Sequence, residues 1–266
     1  MSSPIVVLHP GFHKSGTSSL QHFLDTNKES LHDYTNVLSW GDFPDITKVM
    51  RPVSKFNLSI LDSAYRRAFR KALAQVDPSK HLVLSREILL GMIPGNKTIL
   101  GRPITSYSRT SRRLLTICLD EIQRLYGSNV TIIVLLTVRN HESWLWSVYR
   151  HLVKVNLRTG SFSRFKNEMK HFQGVHGEAD KLIAAFPDIQ VLKSRLEDVA
   201  SKPFGHAQIV LDLLDIPQSV RATLQGAERK HIGIPENRIE ELIQINRYSF
   251  YKGRARKRKE KLLSHD

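Results

Sequence analysis

Residues 130–138 read VTIIVLLTV, nine positions of which only Thr131 and Thr137 are polar. A run this apolar, and this rich in β-branched side chains, suits a strand covered on both faces. Such a strand belongs in the middle of a parallel sheet. Around it, short apolar runs alternate with amphipathic stretches of helix length. The pattern predicts strands at 5–9, 82–85, 130–138 and 189–193. It predicts helices at 17–27, 59–76, 111–126, 142–156, 163–172, 204–214 and 236–250. Residues around Pro44 and Pro52, and the stretch 89–109, are expected as loops. This order predicts an α/β fold in three layers, a central parallel sheet with helices on both faces. The 266 residues are 41% hydrophobic, enough for one sizeable core. The expected division is a single domain over 1–251 and a basic tail over 252–266.

The first strand run, Ile5-Val6-Val7-Leu8, leads into Pro10-Gly11-Phe12-His13-Lys14-Ser15-Gly16-Thr17-Ser18-Ser19-Leu20. Strand, glycine-bearing turn, helix is the layout of a phosphate cradle, so the fold is expected to be P-loop-like. Gly11 and Gly16 let the backbone turn tightly. The amides of Ser15, Gly16, Thr17 and Ser18 are placed to face an anion at a helix start, where the dipole also favours negative charge. Lys14 adds a point charge; Thr17 and Ser18 add hydroxyls. The nucleotide-triphosphate signature puts its lysine after the second glycine, whereas Lys14 precedes Gly16.

A second candidate site follows the apolar strand. Arg139 stands at its carboxyl end, where open α/β sheets bind ligands. Ser147 lies eight positions on, in an amphipathic helix with Trp144, Leu145, Val148, Tyr149 and Leu152 on one face.

The run Lys14-Ser15-Gly16-Thr17-Ser18 resembles the 5′-phosphosulfate loop of sulfotransferases. The Arg139/Ser147 spacing resembles the site where those enzymes hold the 3′-phosphate of their donor, 3′-phosphoadenosine-5′-phosphosulfate. Val191 to Val199 and Leu213-Leu214-Asp215-Ile216 resemble later family segments, so the likeness spans about residues 5–216. Cytosolic members carry a tryptophan where Ser19 stands. Leu20 and Gln21 make the loop more similar to bacterial and Golgi carbohydrate-acting members. The resemblance implies sulfuryl transfer to a hydroxyl or amine, with a glycan among the acceptors to consider. It also implies a general base after the second strand, where Glu87 stands; His13, beside Lys14, is the rival. It gives the leaving-group role to Lys14, with Arg86 as a possible helper. Lys252-Gly253 faintly matches a late phosphate-binding segment.

No metal is required by this chemistry, and the chain has no Cys-x-x-Cys or His-Glu-x-x-His pattern. Net charge is +15, from 40 Lys and Arg against 25 Asp and Glu, which favours anionic partners such as a nucleotide donor. Residues 252–259 hold six basic residues in eight and are expected as a solvated, partly disordered tail. Cys118 is the single cysteine, so no internal disulfide forms; it is expected in the core of the helix at 111–126. No apolar run is long enough to cross a membrane and no leader is evident, so the expected location is cytoplasmic. Two other classes stay open. A nucleotide-dependent kinase would need magnesium ligands and the glycine-lysine order. A nucleic-acid-binding protein would use residues 252–259 but leave Lys14, Arg139 and Ser147 without a role; no stable nucleic-acid partner is expected.

Overall fold

The structure is a computed structural model that describes residues 3–264, apart from Asn57, Ile99, Ala200, residues 227–233 and Phe250. Among the described residues, five strands make one sheet: β1 (Ile5–His9), β2 (Thr35–Leu38), β3 (His81–Ser85), β4 (Thr131–Val138) and β5 (Gln190–Arg195). Their spatial order is β2-β3-β1-β4-β5, and each neighbouring pair is parallel. The main helices are α1 (Thr17–Thr26), α2 (Pro44–Phe56), α3 (Asp62–Leu73), α4 (Ser108–Tyr126), α5 (His141–Val155), α6 (Phe162–Glu168), α7 (Gly174–Ala185), α8 (Ala207–Leu213), α9 (Asn237–Arg247) and α10 (Lys252–Leu263).

Strand residues alternate between two cores, as the pleat requires. Val6, Leu8, Leu84, Val134 and Leu136 face the larger one, shared with α2 to α7 and α9. Val7, Val83 and Leu135 face the smaller one, beneath α1 and α8. The sheet is thus covered on both sides, which is why β4 could be apolar throughout. β1 and β4 are neighbours whose following helices, α1 and α5, pack on opposite faces of the sheet. The crevice beyond their carboxyl ends is therefore the position where such folds take ligands. No helix of the described residues is long and apolar enough to cross a membrane.

Several expectations need correction. β2 was not expected; four residues are too few to show a pattern. The segment with Pro44 and Pro52 is helix α2, not a loop. Pro44 opens it, where a missing N–H costs nothing. Ile46, Met50 and Val53 recur on one face and are fully buried, which carries the helix through Pro52. α7 was also missed, because Gly174 and Gly177 blur its pattern. Its Glu178 is buried and accepts from the amides of Tyr107 (2.8 Å) and Ser108 (2.9 Å), capping α4. The loop at 89–109 is pinched into a narrow excursion by an antiparallel bridge between Lys97 and Pro103. The basic face of α3 makes ion pairs with the neighbouring helices. Arg66 and Arg70 both reach Glu121 of α4, and Lys71 reaches Asp45 of α2. Finally, residues 252–263 are not a loose tail but helix α10, which packs through Ala255 and Lys259.

Candidate active site

The loop between β1 and α1 is held open by its backbone. Gly11 (φ 49°), Lys14 (φ 66°) and Gly16 (φ 95°) are all left-handed. A lysine in that region costs roughly 1–2 kcal/mol, so the position is strained for a side chain other than glycine. A Cβ added at Gly16 would meet Leu196 Cδ1 at 2.8 Å and make that side chain shift, which adds to the preference for glycine set by the left-handed backbone.

The loop's carbonyls are turned into the protein. Phe12 O accepts from Ser15 N (3.3 Å), His13 O from Trp144 Nε1 (2.7 Å) and Lys14 O from Arg139 (3.3 Å). With its acceptors tied back, the loop offers N–H groups and a lysine to its other side. Gly16 caps α1 without a side-chain acceptor, so no side chain competes for the first-turn donors. Not every expected donor is free, however. The Ser15 amide closes the turn onto Phe12, and its hydroxyl points inward to Thr137 Oγ1 at 2.9 Å. Thr17 is buried, with its hydroxyl directed at Phe12 O (3.4 Å). Ser18 is exposed at the helix start. The available donors are therefore Gly16, Thr17 and Ser18 amides, the Ser18 hydroxyl and Lys14.

A polar layer supports the loop from below. His9 is buried at the end of β1; its Nδ1 lies 2.7 Å from Ser85 Oγ and its Nε2 3.4 Å from Thr137 Oγ1. Burial, aided by the charge of nearby His206, pushes the His9 imidazole down to about 3. His206 is likewise buried, holds Ser194 Oγ at 2.8 Å and is lowered to about 4 by burial. Both rings are neutral hydrogen-bonding groups at neutral pH.

The structure brings Lys14, His13 and Glu87 together. Glu87 follows β3 and accepts from Gln21 Nε2 at 2.7 Å; the same amide donates to Ser85 O at 3.3 Å. Burial acts to raise the Glu87 carboxyl, but His13, Gln21, its own backbone and Arg86 outweigh it and hold it below the usual range. His13 rests on Tyr107, with Nδ1 3.1 Å from the phenol oxygen. Burial pushes its imidazole down to about 4 against the pull of Glu87, with Lys14 and Arg86 adding to the fall. At neutral pH the pair is a carboxylate beside a neutral imidazole. Burial lowers the Lys14 ammonium against the support of Glu87; Lys154, Arg150 and Arg139 lower it further. Arg86 faces away: its guanidinium lies 3.8 Å from the Trp40 ring centre and donates to Thr47 Oγ1 at 3.1 Å.

Arg139 anchors the second half. Its Nε donates to Ser143 Oγ (3.0 Å), the residue one turn before Ser147 on the same face of α5. Ser147 is half-buried. The face continues through Arg150, His151 and Lys154; the charges of Arg150 and Lys154 act on Lys14, while burial, with Lys14 adding to it, pushes the His151 imidazole down to about 3. Sequence reasoning stopped at Ser147, although the helical period from Ser143 and Ser147 runs on to Arg150 and Lys154. Gln21, Tyr107 and Trp144 were also missed as supports, since their partners lie far along the chain. Gly253 is exposed on α10, with nothing within 4 Å of a Cβ built on it; the structure does not join it to Arg139 and Ser147. The Lys252 side chain lies outside the described residues.

No family model matches the chain, and no curated protein matches it. Among solved structures it is similar to a sulfotransferase from Alicyclobacillus acidocaldarius, with 17% identity over 91% of this chain and 90% of that one, at a TM-score of 0.47. It is also similar to retinol dehydratase in complex with androsterone and the inactive cofactor PAP, with 15% identity over 96% of this chain and 68% of that one, at a TM-score of 0.35.

Proposed function

We propose that the protein is a sulfotransferase that moves a sulfuryl group from 3′-phosphoadenosine-5′-phosphosulfate to an acceptor hydroxyl, by in-line displacement in a single domain. The observation that carries this reading is the placement of Lys14. It sits in a strained left-handed loop whose carbonyls are tied back, between an uncapped helix start and the Glu87–His13 pair. The donor set fits an anionic nucleotide: amides of α1, the Ser18 hydroxyl, Lys14 and Arg139 are all donors or cations. Gly16 to Ser18 would hold the 5′ end, and Arg139 with Ser147 the 3′-phosphate, which a planar guanidinium suits. Ser15 and Thr17 shape the loop rather than reach the ligand with their hydroxyls.

The bound donor supplies an electrophilic sulfur with a phosphate leaving group. Glu87 takes the acceptor's proton as the acceptor oxygen bonds to sulfur. The bond between sulfur and the bridging oxygen breaks, and its electron pair goes to the phosphate, whose growing charge Lys14 stabilises. Glu87 is favoured over His13 because it is ionised and aimed by Gln21. His13 can serve as base only if its proton is on Nδ1, donated to Tyr107. The buried, unpaired Cys118 fits a reducing compartment such as the cytoplasm.

Incubation with sulfur-labelled donor and panels of glycans, lipids and small alcohols tests the reading. Labelled product is expected with at least one hydroxyl acceptor, and Lys14→Ala should reduce turnover by about 10²–10³. Transfer of a labelled phosphoryl group from ATP, with none from the sulfate donor, would overturn it.

A further inference from the structure

Trp40 follows β2 in a single 3₁₀ turn, Trp40–Asp42, and is 60% exposed. A lone exposed aromatic is ordinary on a protein surface. Two features set this one apart, and the first is its backing. The Arg86 guanidinium lies 3.8 Å from the indole ring centre. Arg86 is itself buried and fixed: its backbone amide donates to His9 O (3.0 Å) and its guanidinium to Thr47 Oγ1 of α2 (3.1 Å). The turn is pinned as well. Ser39 N donates to Asp42 Oδ2 (2.8 Å), and Ser39 Oγ donates to Asp25 of α1. One indole face thus rests on a fixed cation, a cation–π contact, and the exposed area lies on the other face.

The second feature is place. Leu38 pairs with Leu84 in the β2–β3 register, so Trp40, two residues on, stands level with Arg86 and next to Glu87. The sheet order β2-β3-β1-β4 then sets Trp40, Glu87, Lys14 and Arg139 in a row along the carboxyl edge, one strand spacing of about 4.8 Å at a time. Lys14 and Arg139 lie on the side of Glu87 where the nucleotide is placed. Trp40 lies on the other side, where an acceptor brings its hydroxyl to Glu87.

We propose that Trp40 determines acceptor specificity, as the platform on which a pyranose ring of a neutral sugar chain stacks. Resting on the sulfuryl-transfer reading, a hydroxyl of the same chain is then the acceptor at Glu87. The surroundings select this occupant. The platform is open, and its rim is polar: Asp25 and Lys28 are exposed, and Lys28 pairs with Asp42 at 3.5 Å. A pyranose with equatorial hydroxyls has flat C–H faces and a hydroxyl edge, which match an apolar face with polar groups around it. An aryl ring stacked there would leave its second face in water. The rim carries charges of both signs, so a charged chain gains nothing from it.

The test is calorimetry of the full chain with cellotetraose, a chain of equatorially substituted pyranoses, and with 2-naphthol, at low and high salt. Cellotetraose is expected to bind more tightly than 2-naphthol and to change little with salt. Trp40→Ala should lose about tenfold in affinity for cellotetraose, and Trp40→Phe should keep most of it. In turnover with labelled donor, Trp40→Ala should raise KM for cellotetraose about tenfold and leave kcat unchanged, because stacking is the same in ground and transition states. The unfolding midpoint of both variants controls for folding. Unchanged cellotetraose binding in Trp40→Ala, no binding by the parent, or tighter binding of 2-naphthol would each overturn the proposal. So would a fall in kcat at constant KM, which would make Trp40 a support for Arg86 only. Binding of adenosine 3′,5′-bisphosphate is read separately. If cellotetraose binds through Trp40 and the nucleotide does not bind, the platform stands and the sulfuryl-transfer reading falls. If only the nucleotide binds, the platform alone falls.

Discussion

The side-chain amide of Gln21 donates to Glu87 Oε2 across 2.7 Å, so the helix that follows the β1 loop also aims the carboxylate proposed as the general base. In the proposed mechanism the two functions, holding the donor and accepting a proton, are set by one rigid element. Gln21 is nearly fully buried and spans Ser85 O as well, which fixes its orientation.

Gln21→Ala frees the carboxylate to rotate. Turnover should fall by about 10²-fold, as for an ångström-scale misplacement, while donor affinity stays within about twofold. Gln21→Glu instead puts a like charge beside Glu87, which disfavours its ionised form. The acid limb of the pH–turnover profile should then move to higher pH. Steady-state kinetics across pH checks both; a loss of donor affinity equal to the loss of turnover would make Gln21 a loop residue only.

The pH profile itself has a defined sign. Glu87 is held below its usual range and His13 is lowered to about 4, so either base is in its active, deprotonated form above about pH 5. Activity should therefore be lost only on strong acidification. The alkaline limb should lie below 10.5, because burial lowers the Lys14 ammonium from that value. Glu87→Gln should reduce turnover by roughly 10²–10⁴ and leave donor affinity nearly unchanged. Full activity in Glu87→Gln with a dead His13→Ala would transfer the role to His13.

Buried neutral histidines make acid the weak side of this fold. The His9 imidazole drops from an ordinary 6.5 to about 3 in the folded chain. Between those values the unfolded chain binds a proton that the folded chain does not. The stability it contributes is complete above pH 6.5 and is lost as pH falls toward 3, by about 1.4 kcal/mol per pH unit. Urea unfolding at pH 7, 6, 5 and 4 should show this slope, and His9→Gln should remove about one proton's share of it. An identical slope in the variant would show that His9 is protonated in the folded state.

Much of the frame was legible because it rests on local pattern. The run at 130–138 is β4, an inner strand paired on both sides, and the strand–turn–helix around Lys14 is present with its left-handed glycines. What escaped depended on distant partners. α2 forms despite Pro52 because Ile46, Met50 and Val53 find a core that no local window shows. α10 is ordered because Lys259 meets carbonyls of α5, which no charge count reveals. The positions of Lys14, Glu87 and Arg139 just beyond strand ends could be read from the order of the strands. The inward turn of Ser15 onto Thr137, and the stacking of Arg86 on Trp40, could not, since both depend on which side of a strand end packs.

The central claim is a site built for a nucleotide with both a 5′ anion and a 3′-phosphate. Calorimetry of the parent and Arg139→Ala with adenosine 3′,5′-bisphosphate and adenosine 5′-phosphate tests it most directly. Arg139 also holds the Lys14 carbonyl, so loosening of the loop should weaken both nucleotides alike. The deciding quantity is thus the ratio of the two affinities. The parent should prefer the bisphosphate, and Arg139→Ala should erase that preference, worth roughly 2–5 kcal/mol for a buried charge pair. A parent that does not distinguish the two nucleotides, or a preference that survives in Arg139→Ala, would contradict the account.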